Sequence, residues 1–271
     1  MPAKPSPDAT PDLAQFSGAG FKHFFAALAE PLESFPTDLT VTDDFVVRHL
    51  GTVIRAKPGE TVILTDDARA TAYAARIVAV QKKSVDFTVL GQLPTPADPL
   101  PHVMLAVALI KEQRWDWLLQ KATELGARAI QPLFSERCMI RLGSDDIPKK
   151  LERWGGVLRS AAEQSEGLFI PAILPPLPVA QFLQQAPAEA LKLLLMERGT
   201  DRQSLKTRLT KHTQAQPVIL TIGPEGGWSD TEQAAAQSAG FISVSLGQRI
   251  LRSETAAIAA MAALVAEMDR D

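Results

Sequence analysis

Five apolar runs in the second half of the chain constrain its fold more than any other feature. They are HVMLAVALI (102–110), ARAIQPLF (127–134), LKLLLM (191–196), PVILTI (217–222) and ISVSL (242–246). Near-continuous apolar strands separated by helical stretches imply a mostly parallel sheet covered on both faces, an α/β domain. The stretch 114–126 has Trp115, Leu118, Leu119, Ala122 and Leu125 at helical spacing and stops at Gly126. PAILPPLPVA (171–180) reads as a proline-rich surface connection within this domain.

Ahead of these runs, QLPTPADPLP (92–101) carries prolines that cannot pair in a sheet or continue a helix, and it reads as a stiff linker. Residues 21–91 before it read as a small β-barrel. TVILTD (61–66), TAYAARIVAV (71–80) and SVDFTVL (84–90) are its strands, separated by turn signals. One helix, DDFVVRHLGTVIR, is capped by Asp43 or Asp44 and buries Val46, Val47, Leu50, Val53 and Ile54. Arg48, Thr52 and Arg55 then share its opposite face, as a solvated surface or as a binding one. Residues 1–20, rich in proline and small residues, read as a disordered leader, and the expected domain runs over 102–271.

A net charge of −3 argues against a sequence-indifferent nucleic-acid coat, but not against a local basic patch for one structured RNA. One cysteine, Cys138, excludes an intramolecular disulfide and a cysteine zinc cluster. The four histidines lie far apart without an i, i+4 pair, so no metal is expected. No apolar run reaches membrane-span length, and the N-terminus lacks a signal-peptide core. The expected compartment is the cytoplasm, with no membrane partner.

IGPEGGWSDTE (222–232) follows a strand and precedes a helix, the place where α/β proteins often hold a ligand. Ser229 and Glu232 fit a capping box for that helix. The loop resembles a phosphate cradle, yet Trp228 stands where a Walker lysine would, and Glu225 would repel a phosphate. A ligand with a positive centre or hydroxyl donors suits it better, and a plain tight turn remains the alternative. SLGQRILRSETAAIAAMAALVAEM (245–268) repeats the plan, with Gly247 after a strand end and an Arg/Glu-rich loop. Its helix, apolar nearly all round from Ala256 to Ala266, is buried or packs on a second subunit.

QKATELGARAIQPLFSERC (120–138), LTIGPEGGWSDTE (220–232) and LGQRILRSETAAIAA (246–260) together closely resemble the RsmE family of 16S ribosomal RNA uridine-N3 methyltransferases, of the SPOUT class. RHLGTVIR (48–55) and its PGE turn look like that family's PUA-like RNA-binding barrel. The resemblance implies a deep trefoil knot in the C-terminal domain, S-adenosylmethionine (SAM) as methyl donor, and a homodimer acting on 16S ribosomal RNA of the small subunit. The SAM pocket it implies uses Met196, Ile222, Gly223, Pro224, Glu225, Gly226, Gly227, Leu246, Gly247, Ile250, Leu251, Arg252, Ser253 and Thr255. Arg252 is expected to stabilise charge on the uracil ring, and Glu254 to position groups or accept a proton. Arg48, His49, Arg55, Lys121, Glu124, Glu136 and Arg137 are the implied RNA contacts. A non-catalytic RNA-binding factor, or a SPOUT enzyme modifying tRNA or a ribose 2′-hydroxyl, are the alternatives on the same fold. Two departures stand out: Leu168 replaces an arginine usual after the Glu163-Gln164 pair, and Lys22-His23 precedes Phe24-Phe25 where relatives have arginine.

Overall fold

The computed structural model describes residues 13–16, 20–95, 100–197, 202–210 and 216–268. Contacts between Cα positions divide the chain into two units: Met1–Ala97 with Glu163–Phe169, and Asp98–Ala162 with Ile170–Asp271.

The first unit contains β1 (His23–Phe25), β2 (Thr37–Val41), α1 (Asp44–Arg48), β3 (Thr61–Asp66), β4 (Thr71–Val80) and β5 (Val85–Gln92). They form one sheet in the order β1-β3-β4-β5-β2, with β1 parallel to β3 and the other neighbours antiparallel. Along β5 the buried Val85, Phe87 and Val89 alternate with less buried neighbours, the period of a strand with one face on a core. Phe24, Val46, Leu50, Val62, Leu64, Tyr73 and Ile77 complete that core. Register shifts at Ala74/Ala75 and Ile77/Ala79 mark irregularities in β4 of the kind that bend a strand.

Three expectations need correction here. The helix expected over 43–55 is capped by Asp43, whose carboxylate accepts from the Val46 N–H, but it turns π-helical over His49–Val53. It ends at Val53 with Ile54 as its C-cap, and Arg55 just beyond has a left-handed φ of 50°. The wider π turn breaks the 3.6-residue spacing that placed Arg48, Thr52 and Arg55 on one face. Within the expected disordered leader, Leu13–Phe16 form a 3₁₀ turn. Leu13 and Phe16, three residues apart, pack with Phe21 and Leu168 against Ile63, Ala72, Ala74 and Leu93. The rest of that leader lies outside the described residues, apart from Gly20. The expected linker at 92–101 begins inside structure: β5 runs through Gln92, and the Leu93 N–H donates to the Ala72 carbonyl. Residues 96–99 of it are outside the described set.

The second unit contains β6 (Val103–Ala108), α2 (Glu112–Glu124), β7 (Ala129–Phe134), α3 (Ile147–Gln164, whose last two residues belong to the first unit), β8 (Ala172–Ile173), β9 (Leu177–Pro178) and α4 (Val179–Gln185). It continues with β10 (Leu191–Leu195), β11 (Gln203–Ser204), α5 (Leu205–Leu209), β12 (Val218–Ile222), α6 (Asp230–Ser238), β13 (Ile242–Ser245) and α7 (Ser253–Met268). The sheet runs β11-β13-β10-β12-β6-β7-β8, with β9 also beside β7, and every pairing is parallel. The proline-rich stretch 171–180 thus supplies edge strands β8 and β9, a role prolines tolerate where ladder donors are dispensable. β12 lies between β6 and β10, both formed earlier in the chain, and Leu220 pairs with Leu105 on one side and Leu193 on the other.

All five expected strands are present, and helices flank them. α7 packs on α2, α5, β6 and β12, burying Ala257, Ala260, Met261 and Leu264. α3 was not anticipated: its Pro148 sits in the first turn, and Gly155-Gly156 interrupt the pattern carried by Leu151, Trp154 and Leu158. It docks on α2 through Trp115 and Trp154, whose rings lie 5.4 Å apart. Around that contact Lys150 and Arg153 pair with Glu112, and Arg153 with Asp116. The two cations, Lys150 first, hold the exposed Glu112 carboxyl below its ordinary value. Among the described residues no helix is long and apolar enough to cross a membrane, and no cluster of His, Cys, Asp or Glu could hold a metal.

In the first unit, burial holds the His23 imidazole below its ordinary pKa of 6.5, against the opposing pull of Glu166 3.7 Å away. The unfolded chain binds a proton there more readily than the folded one. This residue's contribution to stability is therefore complete above the unfolded value and is lost as pH falls through the depressed folded value. Urea unfolding at about pH 7.5 and about pH 5.5 should show a drop in midpoint at the lower pH. The drop should be smaller in His23→Gln, and an equal drop in both proteins would contradict this assignment.

Candidate functional site

At the carboxyl edge of the second unit's sheet, β10, β12 and β13 end side by side. The three segments that follow them, Met196-Glu197, Gly223–Trp228 and Leu246–Leu251, border a cavity of about 610 Å³. Leu195, Ile222, Val244, Leu246, Ile250 and Leu251 supply apolar wall, while Glu197, Glu225, Arg137 and Arg249 bring charge of both signs to it.

The loop after β12 is immobilised from several sides. Gly227 has φ +69° and its N–H donates to the Pro224 carbonyl, closing a tight turn that favours glycine. Ser253 Oγ, at the start of α7, donates to the Gly223 carbonyl at 2.8 Å. Arg137 Nη1 donates to the carbonyls of Gly226 and Trp228 at 3.3 and 3.1 Å. Trp228 is buried, its indole N–H donates to the Leu195 carbonyl at 3.1 Å, and its ring lies against Gly223. The tryptophan that disqualified a phosphate cradle thus bridges the ends of β10 and β12.

The capping box of α6 is present in both halves, Ser229 Oγ accepting from the Glu232 N–H and the Glu232 carboxylate from the Ser229 N–H. The same carboxylate accepts from Ser135 Oγ at 3.1 Å and the Glu136 N–H at 3.0 Å, tying the segment after β7 to the start of α6. Cys138, next in that segment, is buried and donates to the Leu109 carbonyl. Burial pushes its thiol above the ordinary value, so it is a protonated core residue and not a nucleophile at neutral pH.

Of the residues expected in a cofactor pocket, Met196, Ile222, Gly223, Pro224, Glu225, Gly226, Gly227, Leu246, Gly247, Ile250, Leu251 and Ser253 line this cavity. Arg252 and Thr255 do not; both are exposed beside it in sequence. Glu254 does not line it either. It is buried, with Oε1 3.5 Å from Arg114 Nε, and Arg114 Nη1 also lies 3.4 Å from Glu225 Oε1. Arg137, expected on RNA, lines the cavity and holds the loop.

The remaining expected RNA contacts are scattered. Lys121 and Glu124 on α2 pair with each other at 2.7 Å, and Glu136 is exposed. In the first unit Arg48 borders a groove with Asp44, Thr52, Gln81 and Lys82, which Arg55 does not line. His49 sits edge-on to Phe24 and Phe45, with Nδ1 3.8 Å from Glu163 Oε2.

Sequence reasoning missed Arg114, Glu197, Arg249 and Lys82. Arg114 had a usable signal: a cation in the first turn of the helix after β6, at the same sheet edge as the other loops. Glu197 follows an expected strand end directly. Nothing in the local pattern singles out Lys82 from Lys83.

Residues 43–90 match the RNA methyltransferase PUA domain family, and residues 96–265 match the RNA methyltransferase domain family. The chain is 34% identical over 223 residues to the ribosomal RNA small subunit methyltransferase E of Mycobacterium tuberculosis, covering 80% of this chain and 82% of that one. The chain belongs to the ribosomal RNA small subunit methyltransferase E family. A Synechocystis member is 40% identical over 172 residues, 63% of this chain; the match spans 55% of that relative's own length. Among solved structures, a family member from Neisseria gonorrhoeae bound to S-adenosyl methionine is 34% identical. It superposes with a TM-score of 0.78, over 90% of this chain and 97% of that one. A putative methyltransferase from Legionella pneumophila, in complex with the bound cofactor SAM, is 31% identical, with a TM-score of 0.80 over 91% and 98%.

The residues present fit such a ligand. The volume lies within the roughly 300–1,000 Å³ usual for small-molecule sites. Apolar walls suit an adenine, and the carboxylates Glu197 and Glu225 suit a cation. The loop is shaped by close approach: a Cβ on Gly223 would sit 3.0 Å from the Trp228 ring, and one on Gly226 would sit 3.2 Å from Arg137 Cβ.

Gly223→Ala should therefore displace the Trp228 ring and weaken its bond to Leu195, costing about 1–3 kcal/mol. Urea unfolding followed by tryptophan emission measures both effects. An unchanged midpoint and spectrum would mean that ring and loop are not packed as described.

Proposed function

We propose that this chain transfers a methyl group from SAM to N3 of one uridine in the 16S ribosomal RNA of the small subunit. The observation that carries the reading is the cavity formed by three adjacent strand-end loops in a chain of this family. Met196, Ile222, Gly223–Gly227, Leu246, Gly247, Ile250, Leu251 and Ser253 would hold the cofactor. When bound, SAM supplies an electrophilic methyl on a sulfonium centre.

Uridine N3 carries a weakly acidic proton on its pairing edge, so the base has to be unpaired to react, and that proton passes to solvent as N3 takes the methyl group and S-adenosylhomocysteine leaves. The chain's task is to hold that nitrogen aligned and close, a positioning effect able to supply several kcal/mol. Arg252, exposed on the same loop as Arg249, is the guanidinium we assign to the negative charge that develops on the ring. Glu254, paired with Arg114, serves in this reading as a positioning group and not as a proton acceptor. RNA affinity comes from backbone-directed cations, with Arg48 and Lys82 bordering one groove of the first unit. That unit would be a PUA-like barrel spanning 21–91. The methyltransferase domain would span 102–271 and carry a deep trefoil knot, for which β12 entering between two earlier strands is the support. An enzyme with this substrate works in the cytoplasm.

We also propose a homodimer. The outward side of α7 presents the exposed Ala262 and Ala266 beside the partly exposed Ile258, Ala259 and Val265, and Ile250 is 57% exposed in the preceding loop. A second copy of the chain would cover this apolar surface.

Labelled SAM incubated with the protein and small subunits lacking the mark should label a single uridine at N3. Label on a ribose oxygen or on tRNA would replace the substrate assignment, and RNA binding without any transfer would make the chain a non-catalytic factor. Sedimentation at micromolar concentration should give twice the chain mass, and a monomer would overturn the dimer.

A further inference from the structure

α7 begins with two residues that reach the loop after β12 by different routes. Ser253 Oγ bonds the Gly223 carbonyl directly, at the loop's start. Glu254 does not touch the loop; its Oε1 meets Arg114 Nε at 3.5 Å, and the other arm of the same guanidinium meets Glu225 Oε1 at 3.4 Å. Arg114 stands in the first turn of α2, so one side chain links three elements: α2, the start of α7 and the side chain that projects from the middle of the loop. Arginine suits this geometry because its planar fork offers separate donors at a fixed spacing, which an ammonium does not.

The surroundings of the three groups differ. The Glu254 side chain is 9% exposed, and its Oε2 is buried without a hydrogen-bond partner among the described residues. A carboxylate so placed depends on a cation nearby and on the positive end of the helix it begins. Glu225, 33% exposed, lines the cavity. The buried end therefore anchors Arg114, and the anchored guanidinium fixes the direction of a carboxylate that faces a ligand.

We propose that Arg114 is a positioning residue of the cofactor site, holding the Glu225 carboxylate and the Gly223–Gly227 loop against α7 in the shape that receives the cationic end of SAM. This rests on the cavity being a SAM site. Without Arg114, the ordering of the Glu225 carboxylate is left to the binding event, so affinity falls. The chemical step, which depends on how substrate and methyl group meet, changes far less.

The test is calorimetric titration of SAM into the wild type, Arg114→Ala, Glu225→Gln and the double variant Arg114→Ala/Glu225→Gln, with steady-state kinetics on small subunits. Arg114→Ala should weaken SAM by about tenfold and raise KM for SAM by a similar factor, with kcat within about twofold. The double variant should bind no more weakly than the worse single variant, because both act through one link. Unchanged SAM affinity in Arg114→Ala, losses that multiply in the double variant, or a fall in kcat with KM unchanged would each overturn the proposal. Arg114→Ala leaves the buried Glu254 charge uncompensated; if it fails to fold, Arg114→Ala/Glu254→Gln removes charge and partner together. That variant should still bind SAM about tenfold more weakly, and wild-type affinity in it would overturn the proposal. A wild type that binds no SAM would overturn the cofactor reading, and the clamp with it. Binding by the wild type with no effect of the variants removes the clamp alone.

Discussion

The parallel sheet of the second unit depends on β12 lying between β6 and β10. Both neighbours precede it in the chain, so those two strands have to leave a strand-wide slot, about 4.8 Å of spacing on either side, for a segment that arrives later. The two halves of the sheet, β11-β13-β10 and β6-β7-β8, are joined through the pairing of Val218–Ile222, whose five residues are all buried. The insertion also decides where chemistry happens. It makes β10, β12 and β13 near neighbours, so that three loops from distant parts of the sequence converge at one edge.

Convergence alone gives a depression, and the contacts beneath it give a shaped site. Trp228 occupies the volume between two strand ends, Arg137 takes up two loop carbonyls, and Ser253 takes a third. Each contact comes from a different element, so the loop's conformation is set before any ligand arrives. Preorganisation of this kind lowers the ordering cost of binding. The glycines then act chiefly through absence, since a Cβ on Gly223 or Gly226 would force its neighbour to give by a few tenths of an ångström.

How much of this could be read from residues alone follows from what each element must satisfy. β3 and β4 were bounded to the residue because turn signals flank them. β6, β7, β10, β12 and β13 were found because strands buried on both faces carry unbroken apolar runs. β8 and β9 were missed because prolines normally argue against strands, and here they lie at an edge. α3 was missed because its glycine pair interrupts an otherwise regular stripe. The π turn at His49–Val53 has no marker in composition, and it moved Arg55 off the face shared by Arg48 and Thr52. Within the site, the lining contributed by glycine loops was legible, whereas Arg114 was overlooked although it stands in the first turn of the helix after an expected strand, because a lone cation there belongs to no motif. The inward turn of Glu254 also depends on packing that only the folded chain has.

Glu232 gives one last consequence. Its two carboxylate oxygens receive the Ser229 N–H, the Ser135 hydroxyl and the Glu136 N–H. The start of α6 and the turn that carries Arg137 therefore behave as a single mechanical part. A shorter acidic side chain would keep the charge yet lose the reach, and the two segments would come apart. Evolution can vary the surface of either segment freely, but it has to change both together if it moves one.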